Sequence, residues 1–165
     1  LMELMRNQYA DKQQILHLFK LCNLKYIGIN GETVYYNAAR YNHINIIKGL
    51  INCDMVDINH KNKENNTVLM VVCSRYINEN INNKNEIIKL ILDNDAIIEF
   101  RNNKGYNALY YCVINNNIEI INILLQKSLK IINPLDNIIN NVYEEGDITE
   151  KIKEIFNDYM NKILI

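Results

Sequence analysis

The chain of 165 residues contains no tryptophan, one proline, five glycines and three histidines, and its basic and acidic side chains nearly cancel to a net charge of -1. That balance gives little electrostatic support for nucleic acid or an anionic membrane as a primary ligand. No apolar run approaches the roughly 18 residues of a membrane-spanning helix, and Leu1-Met2-Glu3-Leu4-Met5-Arg6 lacks the layout of a secretory signal. A soluble, cytoplasmic or otherwise intracellular protein is expected, and a first residue other than Met suggests a piece of a longer chain. Cys22, Cys53, Cys73 and Cys112 stand far apart with no Cys-x-x-Cys pair, so neither a zinc site nor a disulfide framework is expected. His17, His43 and His60 stand 26 and 17 residues apart and no carboxylate or thiol spacing around them forms a plausible ligand set, which argues against metal or acid–base chemistry. Gly28 and Gly31 enclose only Ile29-Asn30, a turn rather than a phosphate loop. The chain is therefore read as no enzyme, with no cofactor and no small-molecule substrate.

What the chain has in quantity is Asn and Ile, with Lys and Tyr also frequent, a bias that resembles coding from an AT-rich genome. It is read as origin rather than function, and the tract Asn78-Glu79-Asn80-Ile81-Asn82-Asn83 as loop filler. A hydrophobic content of 48% suffices for a sizeable core in one domain.

The hydrophobic residues return with a period. Gly31-Glu32-Thr33-Val34-Tyr35-Tyr36-Asn37-Ala38-Ala39 is followed by Ile46-Ile47, and the same grammar opens again at Asn65 and at Gly105. From Thr33 to Ile47 is 14 residues, as it is from Asn107 to Ile121; from Thr67 to Ile88 is 21, so the middle unit carries seven extra residues, placed at Asn78 to Lys84. Without them the period is 33 to 34. Each unit reads as two short helices, the first opened by a Thr or Asn N-cap, the second apolar at three and four spacing as in Ile118, Ile121, Leu124 and Leu125. His60-Lys61-Asn62-Lys63-Glu64 and Phe100-Arg101-Asn102-Asn103-Lys104 are polar hairpin-like turns between units, preceded by the β-leaning Val56-Asp57-Ile58 and Ala96-Ile97-Ile98. Asn65-Asn66-Thr67 fits a glycosylation sequon, but Thr67 is better explained as a helix N-cap. Cys73 falls where Ala39 stands and Cys112 where Ala38 stands, which makes them small buried packing residues.

This period and register resemble the ankyrin repeat, with its T-P-L-H-x-A signature. Thr33-Val34-Tyr35-Tyr36-Asn37-Ala38, Thr67-Val68-Leu69-Met70-Val71-Val72 and Asn107-Ala108-Leu109-Tyr110-Tyr111-Cys112 lie on it. The Pro is lost in all three, and the His is replaced by Tyr or Met. Asn42-His43 matches the Gly-His between the helices and Asn59 the Asn near a unit's end. The resemblance implies an all-α solenoid of stacked helix-turn-helix units with short β-hairpin-like turns. About five units are expected in a single domain over 1–165: a cap unit over 1–29, three core repeats over 30–128 and a second cap over 129–165. In that last unit Asn133-Pro134 can start a helix, and a second helix runs from about Asp147 to Leu164 with Ile148, Ile152, Ile155, Phe156 and Tyr159 inward.

The resemblance further implies a concave binding face, made of the hairpin tips and the open side of each first helix. On this chain those residues are Arg40, Tyr41, Ser74, Arg75, Tyr111, Ile114 and Asn115, with Lys61, Lys63, Glu64, Arg101 and Lys104 on the tips. Tyr and Arg are residue types that interfaces use as anchors. A non-enzymatic module that binds a protein partner through this face is expected. The alternative is a structural or assembly subunit of a larger complex, marked by exposed apolar residues at its ends such as Leu1, Met2, Ile163 and Ile165.

Overall fold

The computed structural model describes residues 27–52, 56–74, 81–127 and 150–163. Among them are seven helices: α1 (Val34–Arg40), α2 (Ile44–Asn52), α3 (Val68–Ser74), α4 (Ile81–Leu92), α5 (Ala108–Ile114), α6 (Ile118–Lys127) and α7 (Glu150–Ile163). Helices of seven to fourteen residues are too short to persist alone in water, so packing must hold them. The first helices stack as α1 on α3 on α5, α2 packs on α4, each first helix packs on its own second one, and α7 closes onto α6.

Local chemistry fixes where each first helix starts and where α1 and α5 stop. The backbone N–H of Tyr36 donates to Thr33 Oγ1 at 3.1 Å, that of Met70 to Thr67 Oγ1 at 3.3 Å, and that of Tyr110 to Asn107 Oδ1 at 3.0 Å, so all three expected N-caps form. At the other end of α1, Asn42 turns left-handed with φ 62°. Its N–H reaches Ala39 O at 3.2 Å, and that of His43 reaches Ala38 O at 2.9 Å. Asn116, with φ 52°, repeats this after α5 through Val113 O and Cys112 O, both at 2.9 Å. These paired bonds satisfy helix-end carbonyls, and Asn bears the left-handed conformation more cheaply than most side chains.

Between units the chain makes a narrow hairpin. Ile27 pairs with Thr33 and Lys61 with Thr67 in isolated antiparallel bridges, and no longer strand occurs among the described residues. Val56-Asp57-Ile58 and Ala96-Ile97-Ile98, expected to lean toward β, instead pass into turns. The left-handed turn residue is Gly31 in the first hairpin, Asn65 in the second and Gly105 in the third, with φ of 75°, 60° and 82°. In the second and third an asparagine braces the turn. Asn62 Oδ1 accepts from the N–H groups of Glu64 and Asn66, and Asn102 Oδ1 from those of Lys104 and Tyr106. Successive hairpins are tied by Lys63 N–H to Asn30 O and by Asn103 N–H to Glu64 O, both at 3.0 Å.

The core runs between the helix layers. Ile47, Ile88 and Ile121, the register positions of the three second helices, are fully buried, as are Ile87 and Ile120 beside the latter two, whereas Ile118 is only partly covered. Cys73 and Cys112 are buried free thiols, as small packing residues should be, and burial followed by contact with Cys73 pushes the Cys112 thiol well up. In α7, Ile152, Phe156 and Tyr159 face the core and Ile155 lies half-buried against it. The seven-residue insertion is not wholly a loop. α2 and α6 begin three residues before Ile47 and Ile121, but α4 begins seven before Ile88, so four of the extra residues add one turn of helix. That turn is retained because its last residue, Lys84, is buried, its ammonium donating to Cys73 O at 3.4 Å. The cap unit over 1–29 lies outside the described residues up to position 26, as do Asn133-Pro134, Ile148 and the first part of the insertion.

Candidate functional site

The stack aligns three rows of side chains on the open side of the first helices. Arg40, Ser74 and Ile114 form one row, Tyr41 and Asn115 belong to a second, and Asn37, Val71 and Tyr111 form a third. Arg75, expected between Tyr41 and Asn115, lies outside the described residues. The hairpin tips project along the same side. Between them lies a groove of about 540 Å³, walled by Arg40, Tyr36, Met70, Val71, Ser74 and Tyr111 from the helices and by Asn30, Glu32, Asn62, Lys63, Glu64 and Asn66 from the tips.

The groove gathers five of the expected residues: Arg40, Lys63, Glu64, Ser74 and Tyr111. Arg40 is held in place, since its Nη1 donates to both carboxylate oxygens of Glu32 at 2.9 and 3.1 Å and its guanidinium lies 5.9 Å from the centre of the Tyr36 ring. Ser74 Oγ donates to Val71 O at 3.0 Å. Tyr111 OH accepts from Asn102 Nδ2 at 2.8 Å, and Tyr36 OH from Asn62 Nδ2 at 3.0 Å. Burial raises the pKa of both phenols, so these hydroxyls keep their protons. Two phenolic O–H groups are thereby oriented by the asparagines that brace the hairpins.

Tyr41, Lys61, Arg101, Lys104, Ile114 and Asn115 lie outside the groove wall. Tyr41 and Ile114 are exposed, by 37% and 49%. Asn115 has a structural task, its Nδ2 donating to Cys73 O at 2.7 Å and tying α5 to α3. Arg101 Nη1 donates to Gly105 O within its own hairpin, and the Lys61 ammonium sits 3.5 Å from the centre of the Phe100 ring, a cation–π contact. Asn30, Glu32, Tyr36, Asn62, Asn66, Met70 and Val71 were not anticipated. The repeat register was the signal for Tyr36, Met70 and Asn62, since Tyr36, Met70 and Tyr110 are equivalent, and so are Asn62 and Asn102.

The histidines are structural where described. His60 Nε2 donates to Gly31 O at 2.7 Å across the hairpins. His43 Nε2 is buried without a partner among the described residues, and burial holds its pKa below the ordinary value, favouring the neutral ring between α1 and α2. No cluster of three metal-ligating side chains occurs among the described residues, and none of their helices is long and apolar enough to cross a membrane. Leu1, Met2 and Ile165, expected to mark an embedded subunit, lie outside the described residues, as does the side chain of Ile163.

Stacked helix pairs with capped starts, left-handed Asn turns and tied hairpins define a helical repeat solenoid. The chain belongs to the ankyrin-repeat family: the family model described as ankyrin repeats in three copies matches residues 37–134, more than half of the sequence. It is also similar to a segment of the human (Homo sapiens) BCL-6 corepressor-like protein 1, with 27% identity over 95 residues. That match takes in 58% of this chain and 5% of the relative. Ankyrin repeats are generally protein–protein interaction modules, typically without catalytic activity.

Proposed function

We propose that this chain is a non-enzymatic module that binds a protein partner through the face formed by its hairpin tips and first helices. The observation that carries the reading is the groove, whose walls bring together side chains that differ from unit to unit: Arg40 and Ser74 in one row, Val71 and Tyr111 in another. A repeat that served only to stack would need none of this variety, since neighbour contacts are met by the buried positions. Exposed Tyr41 and Ile114 extend the same face with the aromatic and aliphatic surface from which interface anchors are drawn. The single domain is proposed to span 1–165, with cap units on either side of the three described helix pairs.

The test is affinity purification from native cells with the unmodified chain, a Tyr41→Asp/Ile114→Asp variant and a control at the exposed outer-helix residue Asn45, Asn45→Asp. A partner set lost with the double variant but kept with the control is expected, at unchanged melting temperatures. Retention of the whole set by the double variant would overturn the reading. Elution of the native chain in one stable high-mass assembly would favour a permanently bound subunit.

A further inference from the structure

We propose that the segment recognised on this face is extended and acidic, with an apolar side chain seated against Tyr111 and Ile114 and carboxylates directed at Lys63 and Lys104. This rests on the docking-face reading above and goes beyond it in naming the partner's chemistry.

The argument begins with charge. Tip residues 61–66 and 101–106 carry Lys61, Lys63, Arg101 and Lys104 against Glu64 alone, four positive and one negative, hence +3 in a chain whose total is -1. Lys63 and Lys104 are exposed, and neither ammonium has a carboxylate partner among the described residues. On the outer helices, by contrast, Lys48, Lys89 and Lys127 are each paired with an acidic group of a neighbouring unit at 2.6 to 2.8 Å. A local excess of one sign, with Lys63 and Lys104 exposed and without a carboxylate partner among the described residues, steers and selects a partner of opposite sign.

The tip cations and the apolar surface suit a polypeptide better than a nucleic acid. Tyr106 and Tyr110 are stacked on each other with centroids 3.9 Å apart and Tyr111 meets both edge-on, so the stacking faces of the first two are taken up rather than set out for bases, while Tyr111 still lines the groove. Ile114, 49% exposed beside them, is an aliphatic surface suited to an apolar side chain. The repeat then sets a spacing. Packed helices lie about 8–10 Å apart and an extended chain advances about 3.3 Å per residue, so successive units are met about every third residue. Carboxylates reaching the Lys63 and Lys104 tips should thus stand about three residues apart.

The experiment is selection from a phage-displayed random dodecapeptide library on the immobilised chain at about 0.15 M salt, followed by fluorescence anisotropy with a labelled peptide of the enriched consensus. Enrichment of Asp and Glu at a spacing of about three, with one aliphatic or aromatic residue, is expected. Affinity should fall about tenfold or more with Lys63→Glu/Lys104→Glu, and likewise with Ile114→Asp, at unchanged melting temperatures. A labelled thymidine homopolymer of the same length should bind more weakly than the peptide. Enrichment without acidic bias, no enrichment, indifference to the lysine reversals, or tighter binding of the homopolymer would each overturn the proposal. Neutral or basic peptides still sensitive to Ile114→Asp would sink the acidic inference alone; acidic peptides indifferent to Tyr41→Asp/Ile114→Asp would remove the docking face itself.

Discussion

The outer helices and the hairpin side use polar groups in opposite ways. On the outside, charges bind neighbours together: Lys48 to Glu86 at 2.8 Å, Lys89 to Glu119 at 2.6 Å and Lys127 to Asp93 at 2.6 Å. On the hairpin side that task falls largely to uncharged amides. Asn65 Nδ2 donates to Asn103 Oδ1 at 2.6 Å, Asn102 Nδ2 to Asn66 Oδ1 at 2.8 Å, and Asn59 links to Asp95 O and to the Ile97 N–H. A side built with amides can leave its cations exposed, and that is what makes it a candidate surface rather than a second seam.

Both sides depend on one core, so the largest effects should not distinguish them. Ile47→Ala, Ile88→Ala and Ile121→Ala each empty a fully buried site and should each cost about 2–5 kcal/mol, a large part of the roughly 5–15 kcal/mol that holds a domain. Thermal melts of the three variants should show comparable, large losses. A variant melting with the unmodified chain would put its unit out of register.

The next test strikes the amide side alone. Asn102 is buried and makes four bonds, accepting from two backbone N–H groups and donating to Asn66 and Tyr111. Asn102→Ala orphans the two N–H groups and should cost about 1–3 kcal/mol. Asn62→Ala, losing three bonds, should cost less. Denaturation midpoints would rank them, and faster amide exchange at Lys104 and Tyr106 would locate the damage. Equal, negligible losses would mean that amides do not hold this side.

Gly31 and Gly105 share a left-handed φ but not their surroundings. A Cβ on Gly31 would meet Lys63 N at 3.0 Å and Asn62 Cα at 3.3 Å, whereas one on Gly105 would meet nothing within 4 Å. Alanine at either site costs about 1–2 kcal/mol for backbone strain, and at Gly31 the next hairpin must also give way. Gly31→Ala should therefore melt lower than Gly105→Ala; the reverse order would separate the first two hairpins in solution.

The inner framework was legible because it is periodic. Thr33, Thr67 and Asn107 announce helix starts, Ile47, Ile88 and Ile121 mark the core, and one register predicts the burial of Cys73 and Cys112. Asn65, Asn66, Asn102 and Asn103 were passed over as compositional bias, since a side chain that bonds 36 to 38 residues away leaves no local signature. The outer ion pairs escaped for the same reason: Lys48 and Glu86 are 38 residues apart, and neither sits at a distinctive spacing on its own helix. In the insertion, Ile81 and Lys84 could extend a helix as readily as fill a loop, and only the buried contact of Lys84 with the end of α3 decides between them. Of the groove, Arg40, Ser74 and Tyr111 on the helices were readable and the register pointed on to Tyr36 and Asn62, while Glu32 required the hairpins to be folded back over the helices.

The smallest effect belongs to the outer side. Glu119 accepts from Lys89 Nζ and from Asn85 Nδ2, each at 2.6 Å, and chiefly the lysine bond holds its carboxyl below the usual carboxylate range. A carboxyl whose pKa is depressed on folding binds fewer protons folded than unfolded. Its contribution is therefore present above the unfolded pKa and lost as pH falls through the folded one. Because the Glu119 side chain is 52% exposed, solvent screening limits that contribution to about 1 kcal/mol or less. Glu119→Gln should lower stability slightly at neutral pH and converge with the unmodified chain as the solution is made acid, while Lys63→Glu/Lys104→Glu should leave the neutral melting temperature unchanged. Stability losses from the lysine reversals as large as from Glu119→Gln would erase the contrast, because the tip cations would then be holding the stack as the outer charges do.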